Sequence, residues 1–121
     1  KEIKNYDGLY IHIKGPDVPG HDGDAHKKKA VIEMIDKYYL TPLINNVDLK
    51  ETIIAVTADH STPCQLKSHS DDPVPLLISG GNVKPDSTQS FSEKVCQSGK
   101  IGKINGIQLM PLLIKYSNAK K

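Results

Sequence analysis

Residues 52–60 read TIIAVTADH. The first part is a continuous apolar run rather than an alternating one, which predicts a strand in a sheet covered on both faces. It leads directly into Asp59 and His60, a carboxylate and an imidazole at the carboxyl end of the strand. In open α/β sheets, functional groups gather in loops at that end.

Working outward, residues 8–14 (GLYIHIK) form a second β-rich run closed by Gly15 and Pro16. The stretch 17–23 contains Pro19, Gly20 and Gly23 and reads as a specialised loop. Pro19 and Gly20 argue against a helix between Asp17 and His21, and Gly20 permits an unusual backbone conformation there. Asp24 suits the N-cap of a helix. Val31, Met34, Ile35 and Tyr38 then recur at helical spacing, which predicts a helix over about 25–40. Pro42 kinks or ends it, and Asn45 and Asn46 mark a turn. Beyond 52–58 comes a polar loop, 59–72, then a strand over 73–79 closed by Gly80 and Gly81. Residues 82–104 are polar and turn-rich, with a short helix at 90–97. Asn105 caps a final helix bearing Leu109, Met110, Leu113 and Ile114. Strand, helix, strand, strand is an α/β pattern. No repeat or low-complexity linker suggests an internal domain boundary.

Composition narrows the function classes. The 121 residues carry a net charge of +2, no strong footprint for nucleic acid or a membrane surface. Five Tyr, one Phe and no Trp make base-stacking platforms a poor expectation. There is no apolar run near the ~18 residues of a membrane span, and no signal peptide is visible in these residues. Cys64 and Cys96 are too few for a disulfide scaffold, and the chain reads as a cytosolic enzyme. It begins at Lys1, without Met, and enters a strand almost at once. This predicts a piece of a longer polypeptide whose missing part lies on the N-terminal side.

Five residues in three segments carry the candidate chemistry: Asp17 and His21, Asp59 and His60, and His69. Carboxylate oxygens and neutral imidazoles suit a borderline divalent cation such as Zn²⁺ or Mn²⁺. Two strands and the loop before a third would bring all five to one sheet edge. Adjacent Asp59 and His60 face opposite ways on an extended strand, so they serve two neighbouring metals, or one metal after a turn. Two metals about 3.5–4 Å apart are the usual device for in-line phosphoryl displacement. Singly, each residue reads as a capping aspartate or a surface histidine; three histidines beside acidic residues in separate loops make coincidence the weaker reading.

Other residues have plainer readings. His12 is a polar position on a strand face. His26 lies with the basic run 27–29 on a solvated helix face. Asp22 is a possible outer partner of the cluster, and Asp24 a cap. Cys64 is a small, partly buried thiol rather than a soft ligand. Ser61 and Thr62 serve loop hydrogen bonding, since nothing places a base beside them. Lys67 meets a phosphate or is solvated, with nothing to separate the two.

The segments GPDVPGHDGD (15–24), TADHSTPC (57–64), HSDDPVP (69–75) and GKINGIQLM (102–110) resemble the cofactor-independent (2,3-bisphosphoglycerate-independent) phosphoglycerate mutases, archaeal type. That group belongs to the alkaline phosphatase superfamily, and the likeness runs over about residues 8–118. The resemblance implies part of an alkaline-phosphatase-like α/β sheet with flanking helices. It implies two divalent ions, manganese or zinc first, magnesium or cobalt as alternatives. Asp17, His21 and His69 would hold one, and Asp59 and His60 the second. The second ion's remaining ligands, an Asp and the nucleophilic Ser, belong to an N-terminal part with no counterpart in residues 1–121, and the substrate-binding domain is absent too. The implied parent reaction interconverts 3-phosphoglycerate and 2-phosphoglycerate through a phosphoserine. The implied partner is the N-terminal portion of the same protein, and the isolated chain is expected to be inactive.

Two other readings stay open. One is another enzyme of the superfamily, a phosphomonoesterase or phosphopentomutase, with largely shared metal ligands. The other is a non-catalytic module with a structural metal site. Structural zinc sites are closed and usually include Cys, so an Asp and His set favours catalysis.

Overall fold

The computed structural model describes residues 5–118, which form a mixed α/β fold. In chain order the elements are α1 (Asp17–Asp22), α2 (Ala25–Ile35), a π-helical turn (Asp36–Leu40) and α3 (Thr41–Asn46). There follow β1 (Ile53–Val56), β2 (Leu77–Gly80), α4 (Glu93–Cys96), a 3₁₀ turn (Gly106–Gln108) and α5 (Leu109–Asn118). The strands are antiparallel, with Ile53 opposite Gly80 and Val56 opposite Leu77. The end of β1 therefore lies beside the start of β2. That places Asp59 and His60, which follow β1, on the same edge as His69, which precedes β2.

Residues 8–14 are not a strand, contrary to the sequence expectation. A strand exists through its ladder of backbone hydrogen bonds. Among the described residues none pairs with this segment, and its side chains are exposed. The third expected strand is shorter than 73–79: Pro73 and Pro75 cannot donate to a ladder, and pairing starts at Leu77. The apolar run at β1 is only half-buried along its length, so neither face is sealed as its composition predicts.

The helix from Asp24 begins as expected, with the Asp24 side chain accepting from the Lys27 N–H at 2.9 Å. It does not end at Pro42. The backbone stays helical through Asn46 by way of the π turn just before the proline. Proline lacks an N–H and clashes with the carbonyl four residues back, and a one-residue bulge is a recognised accommodation. Ser92 caps α4, and Asn105 and Gln108 form a reciprocal capping box ahead of α5. Helix α5 packs against β1.

Among the described residues no aliphatic or aromatic side chain is buried, whereas Pro19 and Thr62 are. The tightest packing is thus not at a hydrophobic centre. It lies where α1 meets the loop after β1.

Candidate metal centre

Asp17 opens the six-residue helix α1 and His21 lies in its last turn, contrary to the expected loop. Pro19 falls in the first turn, where its N–H would have no intrahelical partner in any case. Gly20 has no left-handed φ; its lack of a Cβ serves contact instead. A Cβ there would stand 2.8 Å from the Thr62 carbonyl oxygen. Gly23 ends the helix at φ 76, its N–H bonding the Gly20 carbonyl while the Asp24 N–H bonds that of Pro19. Helical spacing then puts Asp17 and His21, four apart, on one face, with His21 Nε2 3.5 Å from Asp17 Oδ1.

The loop between the strands closes the site. An isolated bridge joins Ser61 and Ser70, the Ser70 N–H donating to the Ser61 carbonyl at 3.1 Å. His60 and His69 flank this bridge and their rings stack with centroids 3.9 Å apart. His69 Nε2 thereby reaches 3.6 Å from Asp17 Oδ1 and 3.1 Å from His21 Nε2. Lys67, at φ 52, turns its carbonyl toward His21 Nδ1 at 3.2 Å. A carbonyl only accepts, so His21 carries its proton on Nδ1 and presents the Nε2 lone pair to the cluster.

The three donor atoms of Asp17, His21 and His69 are thus separated by 3.1, 3.5 and 3.6 Å. Ligands about 2.0–2.1 Å from a tetrahedral cation stand about 3.3–3.4 Å from one another. The set has the size and chemistry of one face of such a polyhedron, and the open side faces solvent, since both histidines are exposed. Asp17 is held below the ordinary carboxyl range chiefly by the Thr62 hydroxyl bond, with desolvation acting against it and lesser contributions from the neighbouring His21, His60 and His69. An ionised, acceptor-only Asp17 is the form a cation takes.

Asp59 and His60 lie beside this set rather than within it. His60 Nε2 is 3.7 Å from Asp59 Oδ2, and the His60 N–H donates to Asp59 Oδ1 at 3.1 Å. Two donors make only half a site. His12 and His26 lie exposed away from the cluster. Cys64 and Cys96 are free, half-buried thiols, and Cys64 Sγ faces the Pro19 carbonyl at 3.9 Å.

Three contributors escape a reading by residue type. Thr62, 4% exposed, donates to Asp17 Oδ1 at 2.8 Å and lies 3.2 Å from His60 Nδ1. Its position two residues after His60, hence on the same side of an extended chain, was the available signal. Lys28 is not merely solvated: its Nζ donates to the Thr62 carbonyl at 2.7 Å in a part-buried setting. The third is the Lys67 carbonyl, which no side-chain motif announces.

A family profile described as the metalloenzyme superfamily matches residues 1–116. The chain is 43% identical over 116 residues to a 2,3-bisphosphoglycerate-independent phosphoglycerate mutase of Thermococcus kodakarensis, covering 96% of this chain and 28% of the relative. It is 46% identical over 117 residues to the protein of that name from Methanoculleus marisnigri, again spanning 28% of its length. The solved structure of the PH0037 protein from Pyrococcus horikoshii superposes with a TM-score of 0.93 at 41% identity, over 96% of this chain and 35% of that one. This chain therefore spans little more than a quarter of the mutases it matches. Because the profile covers residues 1–116 of the 121, the chain belongs to the metalloenzyme superfamily.

Proposed function

We propose that this chain is the C-terminal, metal-holding portion of a phosphoglycerate mutase that interconverts 3-phosphoglycerate and 2-phosphoglycerate through a phosphoserine. The observation that carries the reading is the convergence of Asp17, His21 and His69 donors within 3.1–3.6 Å, in a chain whose relatives bear that name. Asp17, His21 and His69 would hold one divalent ion. Asp59 and His60 would hold a second, completed by an Asp and the nucleophilic Ser from the rest of the enzyme. Mixed carboxylate and imidazole donors suit manganese or zinc, with magnesium or cobalt less well matched. When bound, such ions lower the pKa of the attacking hydroxyl and neutralise charge on phosphoryl oxygens.

The chain's own residues supply orientation. The Lys67 carbonyl fixes the His21 tautomer, and stacking on His60 fixes the plane of His69. The open, solvent-facing side of the cluster leaves room for a phosphoryl group. Leu9, Ile11 and Ile13, 41–51% exposed on an unpaired segment, support docking against the remainder of such an enzyme. A cytoplasmic location belongs to the same proposal; among the described residues no helix is long and apolar enough to cross a membrane.

The test compares the intact protein with its Asp17→Asn and His69→Ala variants, measuring bound metal by elemental analysis and phosphoglycerate interconversion by ³¹P NMR. Each variant is expected to lose about one metal equivalent and at least about a hundredfold in turnover, the scale of removing a metal's charge stabilisation. Full turnover with either ligand removed would sink the reading. So would measurable mutase activity from purified residues 1–121 alone.

A further inference from the structure

The geometry points to Thr62 as a positioning residue that couples the two halves of the metal centre through one hydroxyl. This rests on the proposed metal-dependent function and deepens it. A threonine hydroxyl has a single proton and two lone pairs. A carboxylate oxygen only accepts, so the proton of Thr62 points at Asp17 Oδ1, 2.8 Å away. Toward His60 Nδ1, 3.2 Å away, the same oxygen can then only accept. His60 must therefore carry its proton on Nδ1, which leaves the Nε2 lone pair beside Asp59 Oδ2, 3.7 Å away. One hydroxyl thus orients a carboxylate of the first ligand set and selects the tautomer of a histidine in the second.

Thr62 is built to hold that position. It is 4% exposed, and among the described residues almost nothing else is buried. Gly20 of α1 closes on it so tightly that a Cβ there would meet its Cγ2 at 3.0 Å. From α2, Lys28 Nζ holds its carbonyl at 2.7 Å. Neither clamp uses the hydroxyl, so the backbone and the methyl secure the residue while the Oγ1 serves the site. Outer hydrogen-bond partners of this kind typically contribute 10–100-fold to metal affinity.

Thr62→Val keeps the shape and removes the hydroxyl; Thr62→Ser does the reverse. Both are compared with the intact wild-type protein by calorimetric titration with Zn²⁺ alone, and by ¹⁵N NMR of the histidine rings without metal. Thr62→Val is expected to bind about 10–100-fold more weakly at both sites and to lose the Nδ1–H form of His60 as the single tautomer. Thr62→Ser is expected to retain the wild-type tautomer and binding within a few-fold. A residue that merely fills space would give the opposite order, with Val the better substitute, and that result overturns the proposal. If Thr62→Val fails to fold, Thr62→Ser decides alone: retained tautomer and affinity support the role, and their loss refutes it. Wild-type protein that binds no Zn²⁺ would defeat the metal reading. The His60 tautomer in the metal-free spectra would still test the hydrogen-bond assignment separately.

Discussion

Substituting Gly20 by alanine should damage both stability and the metal centre, although alanine is the better helix former. A Cβ at position 20 would stand 2.8 Å from the Thr62 carbonyl oxygen, 3.0 Å from its Cγ2 and 3.1 Å from its Cβ. Relaxed C···O and C···C contacts begin at about 3.3 and 3.5 Å, so helix and loop must part by about 0.5 Å. The obstructing oxygen is backbone and also receives Lys28 Nζ, so it cannot swing aside as a flexible side chain would. Overpacking of this kind costs about 1–3 kcal/mol, while replacing glycine gains about 0.4–1 kcal/mol through the unfolded chain. The net expectation is a loss of about 1–2 kcal/mol. Asp17 and His21 ride on the same short helix, and His69 does not. A shift of about 0.5 Å exceeds the ~0.2 Å tolerance of metal–ligand distances, so Zn²⁺ affinity should fall about tenfold or more. Equilibrium urea unfolding and Zn²⁺ titration of the intact protein read the two effects. Gly106→Ala is the control, since a Cβ there meets nothing within 4 Å. Gly20→Ala protein as stable as wild type, with unchanged Zn²⁺ affinity, would show that the α1–Thr62 contact does not position the site.

Two further outcomes are expected. Asp24→Ala removes the cap of α2, whose side chain accepts from the Lys27 N–H, and should cost about 1 kcal/mol in urea unfolding with little change in Zn²⁺ affinity; no loss of stability would mean that the cap is not used. Asp86 accepts from the Thr88 hydroxyl, then from the N–H groups of Lys100 and Thr88, which with the charge of Lys100 lower its pKa to about 2. Its folded value lies below its unfolded one, so its contribution is complete above about pH 4 and disappears as the pH falls through about 2. The protection factor of the Lys100 amide, taken against its intrinsic exchange rate at each pH, should fall across that window, and Asp86→Asn should flatten the response. A wild-type amide with the same protection at pH 5 and pH 2.5 would contradict this assignment.

Local chemistry was readable where the interaction is local. The Asp24 cap, the Ser92 region helix, the Asn105 cap and the apolar run of β1 depend on neighbours within a few residues, and each stands in the structure. Residues 8–14 show the limit. Their composition suits a strand, but composition cannot provide the neighbour whose backbone completes it. The region 17–22 failed for another reason. Proline and glycine were weighed as helix breakers, whereas Pro19 occupies a turn that tolerates it and Gly20 answers to Thr62, 42 positions away. Pro42 likewise did not end the helix, which continues to Asn46 beyond the π turn that precedes the proline.

The sequence by itself determined the donor chemistry: which carboxylate and imidazole groups are present, in three short motifs, and the divalent ions they suit. It also determined that these groups stand at the ends of apolar or turn-forming segments, because burial and chain reversal are written in residue type. Only the tertiary structure decided the partnership of those groups. Antiparallel pairing of β1 and β2 set the two loop arms side by side, and the Ser61–Ser70 bridge stacked His60 on His69. The helical turn at 17–22 aimed Asp17 and His21 at the same point, and the buried Thr62 hydroxyl joined the two halves. Donor identity is a property of single residues, whereas coordination requires distances between residues some fifty positions apart, and those distances exist only once the backbone has closed.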